Sequence, residues 1–228
     1  MSVRINNLTL RLDEDTDVLK KKVAKKLRLT EDNLKNFKIL RESIDARRKN
    51  KIKLNYIVEV SLKGEEKILS KINDKDVVLK KEDTDKPIEF GTQYMNNRPV
   101  IVGMGPAGMF AGLILAKYGY KPIILERGEK VEDRTKTVEV FHKTGNLNTE
   151  SNIQFGEGGA GTFSDGKLTT RIKDKRCNII LETFVECGAP KEILYNGKPH
   201  VGTDILKKVV KNIRNKIEEQ WGKILFNT

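Results

Sequence analysis

The 228-residue chain is long enough for one large domain or two ordinary ones. Hydrophobic residues make up 37% and charged residues 33% of the chain, as in globular proteins, and no apolar run approaches the roughly 20 residues of a membrane span. Because the N-terminus lacks an apolar signal core, we expect a cytoplasmic protein whose two cysteines, Cys177 and Cys187, stay unpaired.

The net charge of +12 raises the question of a polyanionic partner. Residues 41–53 form a local basic cluster with six basic and two acidic side chains. Two solvated strands of a lysine-rich protein explain this cluster, and the nearby aromatic residues Phe37 and Tyr56 do not form an interleaved stacking platform. The sequence therefore does not favour a nucleic-acid partner. An N-terminal module that recognises RNA or a protein is the alternative interpretation.

The first 85 residues alternate between strand-like and helix-like patterns. The predicted order is strand, helix, strand, strand, helix, strand, over residues 2–12, 13–29, 36–49, 52–62, 65–72 and 76–82. This β-α-β-β-α-β pattern predicts a small ferredoxin-like α+β module over residues 1–85. The polar, proline-containing residues 86–97 are predicted to be a linker.

A glycine-rich turn follows the linker. Residues 99–102, "PVIV", are predicted to form a strand buried on both faces. Gly103, Gly105 and Gly108 then form G-x-G-x-x-G, and a helix is predicted from about 106 to 117. Gly103 permits the tight turn, Gly105 lets the backbone approach a pyrophosphate, and Gly108 lets the helix lie close to the strand. The helix N-terminus would then meet the phosphates.

A second predicted strand, residues 122–126, ends on Glu126, which lies 18 positions after Gly108. A carboxylate at this strand end can accept hydrogen bonds from ribose hydroxyls, and it disfavours the 2′-phosphate of NADP. Gly108, Gly112 and Ala116 repeat every four residues and give the intervening helix a smooth face for packing. The pattern predicts a dinucleotide-binding turn, with a glycine-rich turn that binds no ligand as the alternative.

Residues 100–128 resemble the N-terminal FAD turn of the glutathione-reductase-type flavoprotein superfamily, in which a strand ending Glu-Arg or Glu-Lys closes the unit. The segment "SNIQFGEGGAGTFSDGKLTTR", residues 151–171, resembles a family of uncharacterised bacterial FAD-dependent dehydrogenases, as does "KPHVGTD" at 198–204. The resemblance covers residues 90–228. It extends more loosely to the N-terminal module, where residues 43–49 carry it. It implies a Rossmann-like FAD-binding domain over residues 98–228. It also implies an FAD-dependent oxidoreductase with an unidentified substrate, for which NAD(P)H is a candidate electron donor.

Residues 156–167 contain five glycines in twelve residues, so their backbone can approach a flat ligand or phosphates closely. In related flavoproteins a loop at this position runs beside the isoalloxazine and pyrophosphate, and a cation similar to Arg134 often reaches the adenosine side. A flexible surface loop and a surface arginine are the alternatives. The predicted cofactor-binding residues are Gly103, Gly105, Pro106, Ala107, Gly108, Glu126, Arg127, Arg134, Gly158, Gly159, Gly161 and Thr162.

The remaining signals are weaker. His142 is predicted to lie on a helix surface, His200 is a candidate ligand contact, and Asp204 is expected to cap the following helix. No catalytic residue and no metal site is identified. Residues 222–228 read as the first half of a strand, and the resemblance implies further chain with a substrate domain. We therefore expect the N-terminal part of a larger flavoenzyme, whose FAD domain is incomplete here.

Overall fold

The computed structural model describes residues 2–70, 72–81, 89, 91–93, 95–172 and 174–228. The chain divides into two compact units: unit 1 comprises Met1–Phe90 with Leu194–Gly197, and unit 2 comprises Gly91–Ile193 with Lys198–Thr228. Part of the predicted linker, at residues 86–88, 90 and 94, lies outside the described residues.

Unit 1 contains the predicted order of elements. These are β1 (Ser2–Arg11), α1 (Val18–Leu27), β2 (Lys35–Asp45), β3 (Lys53–Ser61), α2 (Glu65–Leu69) and β4 (Val77–Lys80), with a 3₁₀ turn at Glu31–Asn33. The four strands form one antiparallel sheet in the order β2-β3-β1-β4. The β-α-β-β-α-β pattern read from the sequence is therefore confirmed.

A bulge in β1 keeps its apolar side chains on one face of this sheet. Val3 pairs with Val60, and Leu8 pairs with Tyr56, but the register shifts between Ile5 and Leu8. The extra residue restores the alternation, so the odd-numbered Val3 and Ile5 and the even-numbered Leu8 and Leu10 all face the same core. Helix α1 covers this face with its own buried residues, Leu19, Val23 and Leu27.

Unit 2 is built around a parallel sheet. Its elements are β5 (Val100–Val102), α3 (Pro106–Lys117), β6 (Ile123–Leu125), α4 (Val131–Thr144), α5 (Arg176–Glu186), α6 (Thr203–Glu219) and β7 (Lys223–Leu225), with a 3₁₀ turn at Ala160–Phe163. A further 3₁₀ turn, Lys191–Leu194, ends on the first residue of the segment 194–197 that is assigned to unit 1. The strands run parallel in the order β5-β6-β7. The protein is thus mixed α/β, with one antiparallel and one parallel sheet, and the helix predicted over 106–117 is confirmed.

The prediction that residues 99–102 are buried on both faces is wrong. Val100 is 58% exposed and Val102 is 84% exposed. Ile101 packs with the fully buried Ile124 against α3 and α6, so the helices cover the face of the sheet that carries these isoleucines. The two valines project from the opposite face, which α3 and α6 do not cover. A run of apolar residues in a short strand does not distinguish a strand that is buried on both faces from one that is buried on a single face.

The expected cap on α6 is also absent. Gly202 occupies the N-cap position, and no side chain caps the helix. Asp204 lies within the first turn, where its negative charge still suits the helix dipole. Both Cys177 and Cys187 are free. No helix in the described part of the chain is long and apolar enough to cross a membrane.

Candidate functional site

The glycine turn between β5 and α3 leaves open space at two of its three glycines. A Cβ atom added to Gly103 or to Gly105 would meet no atom within 4 Å. Gly103 has a φ of +92°, a conformation that residues with side chains rarely adopt. A Cβ atom on Gly108 would instead overlap the carbonyl oxygen of Gly103. Gly108 is therefore required for the close approach of helix to strand, whereas the space at Gly105 is available to a ligand.

The buried Glu126 connects the end of β6 to this turn. One carboxylate oxygen accepts a hydrogen bond from the backbone N–H of Met104 at 2.6 Å, and the other accepts one from the backbone N–H of Gly128 at 2.8 Å. Each oxygen retains a second lone pair. The carboxylate thus fixes the turn and keeps acceptor capacity for a further donor.

A cleft of about 460 Å³ opens at the carboxyl end of β5 and β6. Its lining residues are Val102, Gly103, Gly105, Leu125, Glu126, Arg127, Gln154, Phe155, Gly156, Gly159 and Thr228. Five of the residues predicted from the sequence to bind a cofactor line it together, namely Gly103, Gly105, Glu126, Arg127 and Gly159. The cleft therefore combines the glycine turn, the end of β6 and the glycine-rich loop.

The glycine-rich loop packs directly against the turn. The backbone N–H of Gly158 donates to the carbonyl oxygen of Met104 at 2.8 Å. The Cβ position of Gly159 lies 3.2 Å from the Cδ atom of Pro106 and 3.4 Å from the Cα atom of Gly105. A side chain at 159 would thus press on the start of α3. The two glycine-rich segments, distant in sequence, form adjoining parts of the cleft.

The other predicted residues of these segments do not line the cleft. Pro106 and Ala107 are exposed in the first turn of α3, and Gly161 is exposed in the 3₁₀ turn at Ala160–Phe163. Gly158 and Thr162 are buried next to each other, and the hydroxyl oxygen of Thr162 has no hydrogen-bond partner among the described residues. Thr162 is consequently a buried polar group whose hydrogen-bonding capacity is unused.

Arg134 has a different environment from the one that the sequence suggested. Its side chain is fully buried, and it does not line the cleft. The guanidinium donates to the carbonyl oxygens of Asn152 at 2.8 Å, Ile153 at 3.0 Å and Glu157 at 2.6 Å. Burial lowers the pKa of Arg134 to about 10, while Glu126 and Glu157 act to raise it. Arg134 remains a cation and holds in place the segment that contributes Gln154–Gly156 to the cleft.

The rim of the cleft carries an arginine stacked on an aromatic ring. The guanidinium carbon of Arg127 lies 4.0 Å from the ring centroid of Phe155. Its Nε atom is 3.6 Å from a carboxylate oxygen of the exposed Glu150. Both stacked side chains line the cleft, so the rim presents a cation and a flat apolar surface next to Glu126.

Sequence reasoning missed a buried charge network behind the loop. Glu157 accepts hydrogen bonds from the backbone N–H of Val131 at 2.6 Å and from Arg214 at 2.9 Å. Burial raises the pKa of Glu157 to about 7, although these donors oppose the shift. Burial also acts to raise the pKa of Glu132, but hydrogen bonds led by that from Arg214 hold it at about 2. Arg214 occupies the apolar face of α6 with Val210, Ile213 and Ile217, a pattern that could have revealed it.

The two histidines lie away from the cleft lining. His142 is exposed on α4, as predicted, and His200 is exposed in the segment that pairs with Lys167. The part of the chain that the structure describes contains no group of three or more histidine, cysteine, aspartate or glutamate side chains arranged to hold a metal ion.

Comparison with known proteins adds two findings. Residues 2–61 match a family described as a domain of unknown function, DUF8436, which covers most of unit 1. The whole chain is 54% identical over 228 residues to an uncharacterised protein of Clostridium beijerinckii. The chain spans 43% of the length of that relative.

Proposed function

We propose that unit 2 binds FAD and is the N-terminal part of an FAD-dependent oxidoreductase that transfers a hydride or electrons from an unidentified substrate. The observation that carries this proposal is the open space at Gly105 within the same cleft as the carboxylate of Glu126. A Rossmann-like dinucleotide site requires these two features next to each other.

The pyrophosphate would lie at the start of α3. The N-cap of this helix is Gly105, and no side chain caps it. The positive end of the helix and its unpaired N–H groups favour an anion at this position. The free lone pairs of Glu126 would accept hydrogen bonds from the ribose hydroxyls. Arg127 and Phe155 at the rim are suited to contact with the adenosine part.

The flavin would extend toward the glycine-rich loop. From the resemblance to FAD-dependent dehydrogenases, we propose that residues 158–162 lie beside the isoalloxazine. The hydrogen bond from the backbone N–H of Gly158 to the carbonyl oxygen of Met104 supports this by bringing the loop next to the phosphate position. FAD would supply the redox chemistry, and the chain would bind and orient it. Thr162, with its unused hydroxyl, remains a proposed flavin-side residue.

Three further proposals accompany this one. The antiparallel order of unit 1 supports a ferredoxin-like sandwich. The relative is more than twice as long as this chain, which supports a substrate domain elsewhere in the whole protein. NAD(P)H is proposed as the electron donor to that protein, and the cytoplasm as its location.

The test measures FAD binding to the full 228-residue chain by equilibrium dialysis and flavin fluorescence. We expect binding by the unaltered chain, and loss of more than about tenfold in affinity, about 1.4 kcal/mol, in Gly105→Val. Gly91→Val is the matched control, because Gly91 is exposed and its Cβ position also meets no atom within 4 Å. Full FAD affinity in Gly105→Val would refute the proposed site.

A second measurement identifies the nucleotide. Protein purified from cells is denatured, and any released small molecule is identified by its mass. FAD supports the proposal. Release of NAD instead, together with failure of added FAD to bind, would assign the cleft to a nicotinamide dinucleotide.

A further inference from the structure

The pairing of the strands in unit 1 gathers basic side chains on the face of the sheet opposite its core. Arg4 and Lys38 both pair with Glu59, and Arg11 and Asp45 both pair with Lys53. The basic residues on this open face are Arg4, Arg11, Lys35, Lys38, Arg41, Lys53 and Lys80, and the acidic ones are Asp45 and Glu59. The open face therefore carries an excess of positive charge contributed by all four strands.

The helical side of unit 1 is different, since carboxylates offset its lysines. Lys22 of α1 lies 3.1 Å from Glu14, and Lys26 lies 3.0 Å from Asp74 and 3.6 Å from Asp76. On the open face, Asp45 is engaged by Arg47 at 2.6 Å, Glu59 lies 3.7 Å from Arg4, and Asp13 lies 3.0 Å from Arg11. Two carboxylates on this face therefore stand against seven basic side chains. The carboxylates thus reduce the positive charge on the helical side more than on the sheet.

We propose that the open face of this sheet binds the phosphate backbone of a single-stranded nucleic acid. Neighbouring strands lie about 4.8 Å apart, so four strands are wider than the roughly 12 Å major groove of a duplex. A single strand can lie across such a surface. Arg11, Lys35, Lys38, Arg41 and Lys53 are exposed and can reach its phosphates.

The open face carries few apolar side chains, and this favours a nucleic acid over an acidic protein as its partner. Among the strand residues that the pairing assigns to it, Ile57 and Val78 are apolar and none is aromatic. Protein interfaces have a core of apolar and aromatic side chains, which this face does not offer. Without aromatic side chains, bases cannot be stacked in succession. The binding would hence be directed at the backbone, independent of sequence and strongly salt-dependent.

The test uses the full chain and a short fluorescein-labelled oligouridylate, with anisotropy measured over a series of salt concentrations. Arg41→Gln/Lys53→Gln removes two exposed cations from the open face, and Lys21→Gln/Lys25→Gln removes two exposed cations from α1. In a plot of the logarithm of the binding constant against the logarithm of the salt concentration, each phosphate contact with a single strand contributes about 0.7 to the slope. The first variant loses two such contacts, so the magnitude of its slope should fall by about 1.4. Its affinity at low salt should fall by more than about tenfold. The α1 variant should behave as the unaltered chain.

Three outcomes would overturn the proposal. They are equal losses in the two variants, binding of labelled polyglutamate as tight as that of the oligonucleotide, and binding that does not weaken with salt. Circular dichroism melts of both variants check that the fold is kept. The proposal does not depend on FAD, and Gly105→Val should bind the oligonucleotide normally, so failure of the one proposal is distinguishable from failure of the other.

Discussion

The carboxylate of Glu126 accepts a 2.6 Å hydrogen bond from the backbone N–H of Met104, which precedes it by 22 residues. Its other oxygen accepts a hydrogen bond from the backbone N–H of Gly128 at 2.8 Å. Hydrogen bonds to a charged group contribute roughly 1.5–3 kcal/mol each. In the proposed function the same carboxylate faces the ribose, so this residue both closes the turn and contacts the ligand.

Glu126→Gln should destabilise unit 2 by roughly 2–3 kcal/mol, because its amide can accept from one of the two N–H groups and presents a donor to the other. Hydrogen exchange followed by mass spectrometry should show lost protection at whichever of the Met104 and Gly128 amides no longer has an acceptor. Glu139→Gln, an exposed change on α4, is the control and should leave these amides protected. Unchanged protection at both Met104 and Gly128 in Glu126→Gln would contradict the role assigned to the carboxylate.

Gly108→Ala should destabilise the fold, whereas Gly105→Ala should leave its stability nearly unchanged. The methyl group at 108 would overlap the Gly103 carbonyl oxygen, whereas the methyl group at 105 meets open space. Urea denaturation should therefore show a loss of roughly 1–3 kcal/mol or more for Gly108→Ala and little change for Gly105→Ala. Equal stability of the two variants would show that β5 and α3 are not packed as closely as described.

The free energy of unfolding should fall as pH rises between about 4.5 and about 7. Burial raises the pKa of Glu157 from 4.5 to about 7, so in this window the folded chain holds a proton that the unfolded chain has released. The shifted pKa of Glu157 makes its full contribution to the free energy of unfolding below about pH 4.5. This contribution, at most roughly 3 kcal/mol, is lost by about pH 7. Urea denaturation across this range measures it.

Glu157→Gln is the variant that isolates this effect. It removes the titrating group, so the decline in stability across the window should flatten, whereas Glu139→Gln should keep it. If Glu157→Gln retains the full decline, another group is responsible for it.

Arg134→Lys should loosen residues 152–157. A lysine keeps the charge but lacks the planar fork with which Arg134 reaches several carbonyl oxygens at once. We expect faster hydrogen exchange in this segment and weaker FAD binding, with β5 and β6 unaffected. Arg171→Lys, an exposed change, serves as the matched control. Exchange that rises equally throughout unit 2 would point to general destabilisation instead.

Local patterns predicted much of the fold. The G-x-G-x-x-G turn with Pro106 marked the start of α3, and the alternation of residues 2–12 marked β1. These features depend on neighbours in sequence, and glycine spacing directly reflects backbone geometry. The proximity of Glu126 to Gly103 also followed, because consecutive parallel strands end at the same edge.

Long-range contacts were beyond such reasoning. "VEDRT" showed that Arg134 is charged but not that it would be buried among carbonyl groups of a loop 18 or more residues away. Glu157 and Arg214 likewise meet only in the folded chain. The basic cluster at 41–53 was visible, but the open face combines it with Arg4, Arg11 and Lys80 through strand register, which the sequence does not display.

The exposed Val100 and Val102 have a consequence for the cleft itself. They belong to β5, one of the two edge strands of the parallel sheet, and among the described residues no strand pairs with its outer side. A strand added at this edge would run alongside Val100–Val102, the residues that lead into Gly103. Under the proposed function, a strand held there would order the backbone that enters the nucleotide-binding turn, so edge pairing and nucleotide binding would favour each other.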